Sequence, residues 1–123
     1  MAFDNVLLTG ATGFLGIHLL RALVDHSRAS ITCLVRGDDD RAARQRLSEL
    51  LAWYFPEQDW AEHERRIRVV AGDISADQFG LSNDSYEALA AQPCAIFNVA
   101  ADVRHVGSRE HLFRMNTQSV AAL

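Results

Sequence analysis

Short apolar runs alternate along this chain with longer segments whose apolar residues recur at helical spacing. The runs predict four strands, at residues 5–9, 30–35, 67–71 and 94–99. Three of the runs are continuously apolar, as expected for parallel strands that are covered on both faces. Helical spacing predicts helices at residues 14–27, 39–55 and 84–91, and a last helix that begins near Ser108 or His111.

Strands that alternate with helices favour right-handed βαβ crossovers and a parallel sheet. We therefore expect an α/β fold of the NAD(P)-binding Rossmann type, with a partial doubly wound parallel sheet of order 3-2-1-4 in three αβα layers. The last predicted helix still continues at Leu123, and the fourth strand would leave an apolar edge exposed. These features predict that residues 1–123 are part of a larger domain, truncated at its C-terminal end. The exposed edge would favour self-association.

Composition narrows the class of protein. The chain has 123 residues, of which 49% are hydrophobic, so it can bury the core of one domain. Its net charge of −4, with acidic and basic residues interspersed, predicts no nucleic-acid partner, and no apolar run is long enough for a membrane span. Cys33 and Cys94 lie in apolar runs, and the histidines lack ligand spacing. We expect a cytoplasmic protein with reduced core thiols and no metal site.

A glycine-rich turn directly follows the first predicted strand. Gly10, Gly13 and Gly16 have the spacing G-x-x-G-x-x-G, a variant of the dinucleotide-binding fingerprint. Such a spacing is a weak signal alone, but here it leads from a strand into a helix within a βαβ unit, where the helix N-terminus can bind a pyrophosphate. The alternative is a purely structural turn. No Gly-Lys-Ser/Thr follows, so the turn is not a P-loop.

The residue after the second strand bears on the choice between NADP(H) and NAD(H). Arg36 stands at the position where an arginine accommodates a 2′-phosphate, whereas an acidic residue would bind the ribose hydroxyls of NAD. Arginines at 41, 44 and 46 follow closely and could add a second contact. The acidic run at 38–40 argues mildly for NAD, but we interpret it as the N-cap of the second helix. We therefore expect NADP(H), with a solvated surface arginine as the alternative.

Three further positions are candidates for cofactor contacts. Asp73 follows the third strand, where its carboxylate could accept a hydrogen bond from the adenine amino group or could instead form a turn. Ala100 and Ala101 end the fourth strand with small side chains that would let the backbone pass close to the cofactor. Asn116 lies in the last predicted helix, either near the active site or as an ordinary helix polar residue.

Taken together, these residues resemble the extended short-chain dehydrogenase/reductase family. Within it they are most similar to the thioester reductase domains of non-ribosomal peptide synthetases and to carboxylic acid reductases. The resemblance rests on residues 6–16, the motif Cys33-Leu34-Val35-Arg36, Ala43 with Arg46-Leu47 and Tyr54, Gly72-Asp73-Ile74, Gly80-Leu81-Ser82, residues 97–103 and Asn116.

The resemblance implies an NADP(H) site built from several parts of the chain. Residues Gly10, Ala11, Thr12, Gly13, Phe14, Leu15 and Gly16 would wrap the pyrophosphate. Arg36, with help from Arg46, would bind the 2′-phosphate, and Asp73 and Ile74 would flank adenine. Ala100, Ala101 and Val103 would line the path to the nicotinamide. Enzymes of this kind reduce an acyl or peptidyl thioester on a carrier protein to an aldehyde or alcohol, so residues 1–123 would be the N-terminal dinucleotide-binding part of a larger Rossmann reductase domain.

One departure from the family limits this expectation. The family's proton donor is the tyrosine of a Tyr-x-x-x-Lys pair, and this chain contains no lysine. Tyr54 and Tyr86 are followed four residues later by Gln58 and Ala90. We therefore expect no catalytic residue in the chain and no activity from it alone. A nucleotide-sugar epimerase or dehydratase, and a non-catalytic dinucleotide-binding module, are the alternatives.

Overall fold

The computed structural model describes residues 4–92 and 95–99, which form a parallel sheet with helices on both faces. The strands are β1 (Asn5–Thr9), β2 (Ser30–Val35), β3 (Ile67–Ala71) and β4 (Ala95–Asn98). The helices are α1 (Phe14–His26), α2 (Asp40–Tyr54) and α3 (Asn83–Ala90). The strand order β3-β2-β1-β4 confirms the predicted Rossmann-type sheet. The last predicted helix lies outside the described residues.

The main core lies between the sheet and the pair α1 and α2. Register brings Leu8, Cys33 and Val69 side by side on this face of three neighbouring strands. Helix α1 buries one face, formed by Gly16, Ile17, Leu20, Leu23 and Val24, although its apolar residues are spread around the helix. Helix α2 buries a single stripe of Ala43, Leu47 and Leu51, as its one-sided apolar pattern predicts. A second, smaller cluster on the opposite face contains Leu34, Val70, Ile74 and Phe79.

The C-terminus of α1 is held by an arginine from a distant part of the chain. The Arg66 guanidinium donates to four backbone carbonyl oxygens, those of Leu23 (3.5 Å), Val24 (3.1 Å), Ser27 (2.6 Å) and Ala29 (3.2 Å). These carbonyls belong to the last turn of α1 and to the loop that follows it, where a positive charge also meets the negative end of the helix dipole.

Two side chains from the first half of α2 contact the backbone of β3. The Asp40 carboxylate accepts a hydrogen bond from the Ala71 N–H at 2.8 Å. The Arg44 guanidinium donates to the Ile67 carbonyl at 3.1 Å. The Asp40 bond holds the start of α2 next to the carboxyl end of β3, on the side of the molecule where a doubly wound fold binds its ligands, whereas the Arg44 bond is at the amino end of β3.

Candidate cofactor-binding site

The turn between β1 and α1 folds back on itself closely enough to exclude side chains. Gly10 has a φ of +79°, a conformation that glycine adopts readily, and its carbonyl accepts from the Gly13 N–H at 3.0 Å. A Cβ on Gly16 would lie 1.8 Å from the Gly10 carbonyl oxygen. The first turn of α1 therefore packs directly on the glycine turn, as the spacing predicts.

The N-terminus of α1 suits an anion. Gly13 is the N-cap residue and provides no side-chain cap, and the first turn contains no acidic residue. The amide groups of that turn and the positive end of the helix dipole can therefore bind a negatively charged ligand. The side chains of Phe14 and Leu15 are 74% and 65% exposed beside this turn, whereas Ala11 is fully buried. The turn and the helix start fit the pyrophosphate of a dinucleotide.

An open cleft of about 840 Å³ lies where the carboxyl ends of β2 and β3 meet the start of α2. Arg36 and Arg46 both line this cleft, although they come from a strand end and from the second turn of a helix. Arg44, two residues earlier, is directed to the Ile67 carbonyl and to Glu64 instead. Of the arginines at 41, 44 and 46, the structure places only Arg46 in the cleft.

Asp73 and Ile74 have different surroundings. Asp73 lines the cleft, and one of its carboxylate oxygens accepts from the Ser75 N–H (2.9 Å) and hydroxyl (2.7 Å). The carboxylate therefore forms the turn that was the alternative to adenine binding, while staying on the cleft wall. The Ile74 side chain is buried with Leu34 and Phe79. A contact of either residue with adenine stays a prediction.

The segment after Ser75 supplies a part of the cleft that sequence reasoning missed. Gln78, Phe79 and Gly80 have φ angles of +50°, +59° and +72°. Two consecutive non-glycine residues in this region are strained, and such strain is concentrated at binding sites. The turn brings the Phe79 carbonyl to the Asp73 N–H at 2.9 Å and buries the Phe79 ring among the cleft residues. Gly80 was the one visible signal of this turn.

A second feature absent from the sequence analysis joins β1 to β4. The buried Thr9 hydroxyl donates to the Asn98 side-chain oxygen at 2.6 Å, and the Val99 N–H donates to the Thr9 carbonyl at 3.3 Å. Strand order reverses between these two strands, and in doubly wound folds a ligand binds at such a point. The bonds fix the carboxyl end of β4 beside the glycine turn. The predicted contacts at Ala100, Ala101, Val103 and Asn116 lie outside the described residues.

Three further findings concern metal ligands, membrane spans and thiol chemistry in the part of the chain that the structure describes. Within residues 4–92 and 95–99, no group of three or more His, Cys, Asp or Glu side chains could hold a metal ion. No helix in the same residues is long and apolar enough to cross a membrane. Burial raises the pKa of the Cys33 thiol to about 12, so this thiol is protonated at neutral pH and is a poor nucleophile.

Comparison with known proteins identifies the family of this chain. Residues 8–123 match the model of an NAD-binding family described as Male sterility protein. The chain belongs to this family. Membership indicates a nicotinamide dinucleotide cofactor, and the glycine turn with the uncapped start of α1 fits its pyrophosphate.

Its relatives include non-ribosomal peptide synthetases and solved structures of their reductase domains. The chain is 43% identical over 103 residues to the nonribosomal peptide synthetase asaC of Aspergillus flavus. This alignment covers 83% of the chain but only 10% of the length of asaC. It is 32% identical, with a TM-score of 0.89, to the terminal R domain from the myxalamid PKS-NRPS biosynthetic pathway. A thiolation-reductase di-domain from an archaeal non-ribosomal peptide synthetase gives 32% identity and a TM-score of 0.81. Each of these two alignments covers 99% of the chain and 31% of the solved structure.

Proposed function

We propose that this chain is the NADPH-binding portion of a reductase that converts carrier-protein-bound acyl or peptidyl thioesters to an aldehyde or alcohol. The reaction class is supported by the similarity to reductase domains of non-ribosomal peptide synthetases, of which the chain covers about a third. The partner would be the acyl- or peptidyl-carrier protein that presents the thioester, and the setting would be the cytoplasm. NADPH, when bound, supplies the hydride for this chemistry.

The observation that carries the choice of NADPH is the presence of Arg36 and Arg46 in one cleft. Two guanidinium groups can bind a phosphate dianion by charge-assisted hydrogen bonds, whereas the ribose hydroxyls of NADH gain little from them. The cleft adjoins the end of β2, which is the position of the adenosine ribose in Rossmann folds. The role of this chain in the reaction is therefore to hold the adenosine 2′-phosphate and the pyrophosphate and so orient the cofactor.

Titration of the chain with NADPH and NADH tests the cofactor choice. We expect NADPH to bind at least about tenfold more tightly, because a charge-assisted hydrogen bond is worth about 1.5–3 kcal/mol. Replacement Arg36→Ala or Arg46→Ala should each weaken NADPH binding about tenfold and leave NADH binding almost unchanged. Arg41→Ala is the matched control, since Arg41 is on the same helix but does not line the cleft. Equal affinity of the wild-type chain for the two nucleotides would contradict the proposal.

The reductase activity needs a separate test, because the chain lacks lysine and so lacks a Tyr-x-x-x-Lys pair. With an acyl-carrier thioester and NADPH, we expect the 123-residue chain to consume no NADPH. A protein in which the reading frame continues through a Tyr-x-x-x-Lys segment should oxidise NADPH and release an aldehyde or alcohol. If that longer protein leaves carrier-bound thioesters unreduced, the proposed reaction class is wrong.

A further inference from the structure

Three consecutive carboxylates follow β2, and the structure gives them different surroundings. Asp39 caps α2, because its carboxylate accepts from the Ala42 N–H at 2.7 Å. Asp40 accepts from the Ala71 N–H at 2.8 Å. Asp38 instead lines the cleft and makes no hydrogen bond or ion pair with another described residue. Two of the carboxylates are therefore structural, and the third belongs to the wall of the cleft.

Asp38 shares this wall with Arg36, Arg46 and Asp73, so a ligand in the cleft meets two arginines and two carboxylates. The Asp73 carboxylate already accepts two hydrogen bonds from Ser75, whereas Asp38 accepts none from another described residue. Neither arginine forms an ion pair with Asp38 or with any other described carboxylate. The side chains of Arg36, Asp38 and Arg46 are exposed, so each can reorient toward a ligand. The negative charge of Asp38 is therefore not neutralised within the described part of the protein.

A carboxylate at this place acts differently on the two nicotinamide dinucleotides. It can accept hydrogen bonds from the free 2′- and 3′-hydroxyls of the adenosine ribose in NADH. It repels the 2′-phosphate of NADPH, which the arginines attract. One side chain thus favours one cofactor and opposes the other.

We propose that Asp38 is a specificity-determining residue that narrows the preference of this cleft for NADPH and gives it usable affinity for NADH. The inference rests on the proposed function, because it takes the cleft to hold the adenosine end of the cofactor. In this proposal the ribose hydroxyls of NADH are bound by Asp38, in the loop after β2, and not by the residue that directly follows the strand. The protein would then accept either reduced nicotinamide dinucleotide, with NADPH preferred.

The variant Asp38→Asn tests this assignment in the 123-residue chain. Exposed charge interactions are worth up to about 1 kcal/mol, so NADPH affinity should rise about fivefold. NADH affinity should fall about fivefold, because the ribose hydroxyls lose a charged acceptor. The gain for NADPH should shrink as ionic strength increases, since salt screens exposed charges. Glu87→Gln is the matched control, because it removes an exposed negative charge on α3 away from the cleft.

Opposite shifts for the two nucleotides would support the role of Asp38. A parallel loss of both affinities would overturn it, because the carboxylate would then only maintain the loop. Unchanged affinities for both nucleotides would overturn it too. Arg36→Ala measured in the same titrations separates this inference from the proposed function. If Arg36→Ala leaves NADPH affinity unchanged while Asp38→Asn shifts the two nucleotides oppositely, the NADPH assignment fails and the role of Asp38 stands. If the wild-type chain binds neither nucleotide, both are overturned.

Discussion

The glycines of the first turn differ in how much space the surrounding backbone leaves for a side chain. A Cβ on Gly16 would lie 1.8 Å from the carbonyl oxygen of Gly10 and 2.5 Å from its carbonyl carbon, both of them backbone atoms that cannot move aside cheaply. A Cβ on Gly13 would meet the same oxygen at 3.4 Å, an ordinary contact. Gly16 is therefore required for the fold, and Gly13 is required only if a ligand approaches closely.

The two glycines can be separated by alanine substitution. Gly16→Ala should lower the free energy of unfolding by about 3 kcal/mol or more, because α1 must move away from the turn. Gly13→Ala should change the free energy of unfolding by less than about 1 kcal/mol and still weaken dinucleotide binding, because the added methyl group would meet a pyrophosphate bound at the start of α1 as we propose. Urea unfolding and NADPH titration of both variants measure the two effects. Wild-type stability of Gly16→Ala would refute the packing argument.

The sequence predicts the role of a residue well where that role depends only on neighbouring residues in the chain. The spacing of the glycines follows from the path of one turn, so it could be interpreted without the rest of the fold. Arg44 and Arg46 could not be distinguished, because the direction of each depends on how α2 packs against β3. The acidic run predicted a cap for α2, but the sequence does not distinguish Asp39, which caps the helix through the Ala42 N–H, from Asp38 beside it.

The two ends of helix α1 differ in how their unpaired backbone groups are bonded. Its N-terminus has no side-chain cap, which leaves its amide groups for a ligand. Its C-terminal carbonyls and the loop after them are held by the Arg66 guanidinium, at distances from 2.6 to 3.5 Å. The N-terminus therefore gains no stability from a side-chain cap, whereas the Arg66 guanidinium stabilises the C-terminus. No sequence pattern predicts this contact, because 37 or more residues separate Arg66 from the carbonyls it binds.

The substitution Arg66→Lys tests how much the guanidinium group contributes to stability. Arg66→Lys keeps the charge but cannot reach four carbonyls at once, so the free energy of unfolding should fall by about 1–3 kcal/mol. Arg65→Lys is the matched control, because Arg65 is exposed and makes no interaction with another described residue. Urea unfolding of both variants gives the comparison. Equal stabilities would mean that the charge alone, through the helix dipole, is what matters.

At the scale of the whole molecule, the centre of the core contains an ionisable group. Cys33 is fully buried on the middle of β2, between Leu8 of β1 and Val69 of β3. Burial raises the pKa of its thiol from 9.0 to about 12, because the thiolate would lose its hydration. The folded protein therefore retains a proton that the unfolded chain releases at moderately alkaline pH.

This difference predicts a pH dependence of stability. Because the folded pKa lies above the unfolded one, the contribution of Cys33 is fully present below pH 9.0 and is lost as the pH rises toward about 12. Urea unfolding at neutral pH and at about pH 10 should show a smaller decline for Cys33→Ala than for the wild-type chain. Cys94→Ala serves as the thiol control. An equal decline in Cys33→Ala and the wild type would show that this thiol does not contribute.

The strand order could be predicted from the sequence because helices on crossover connections and a fixed handedness leave few arrangements for the strands. The burial of both faces of the sheet could likewise be predicted from the continuous apolar runs of the strands. The strained turn at Gln78 and Phe79 could not be predicted, because the packing of Phe79 in the second cluster and the bond of its carbonyl to the Asp73 N–H appear only in the folded chain.

The contacts of α2 with β3 have a consequence for how this sheet can be extended. Residues 67 and 71 direct their backbone polar groups away from β2, since the Gly72 N–H and the Arg66 carbonyl are the groups that bond to it. The Arg44 and Asp40 side chains occupy two of the bonding positions that an added strand would need there, one near each end of β3. β4 is the opposite outer strand of the described sheet, and its Ile96 side chain is exposed. A further strand, from this polypeptide or from another copy, would therefore be directed to the β4 side.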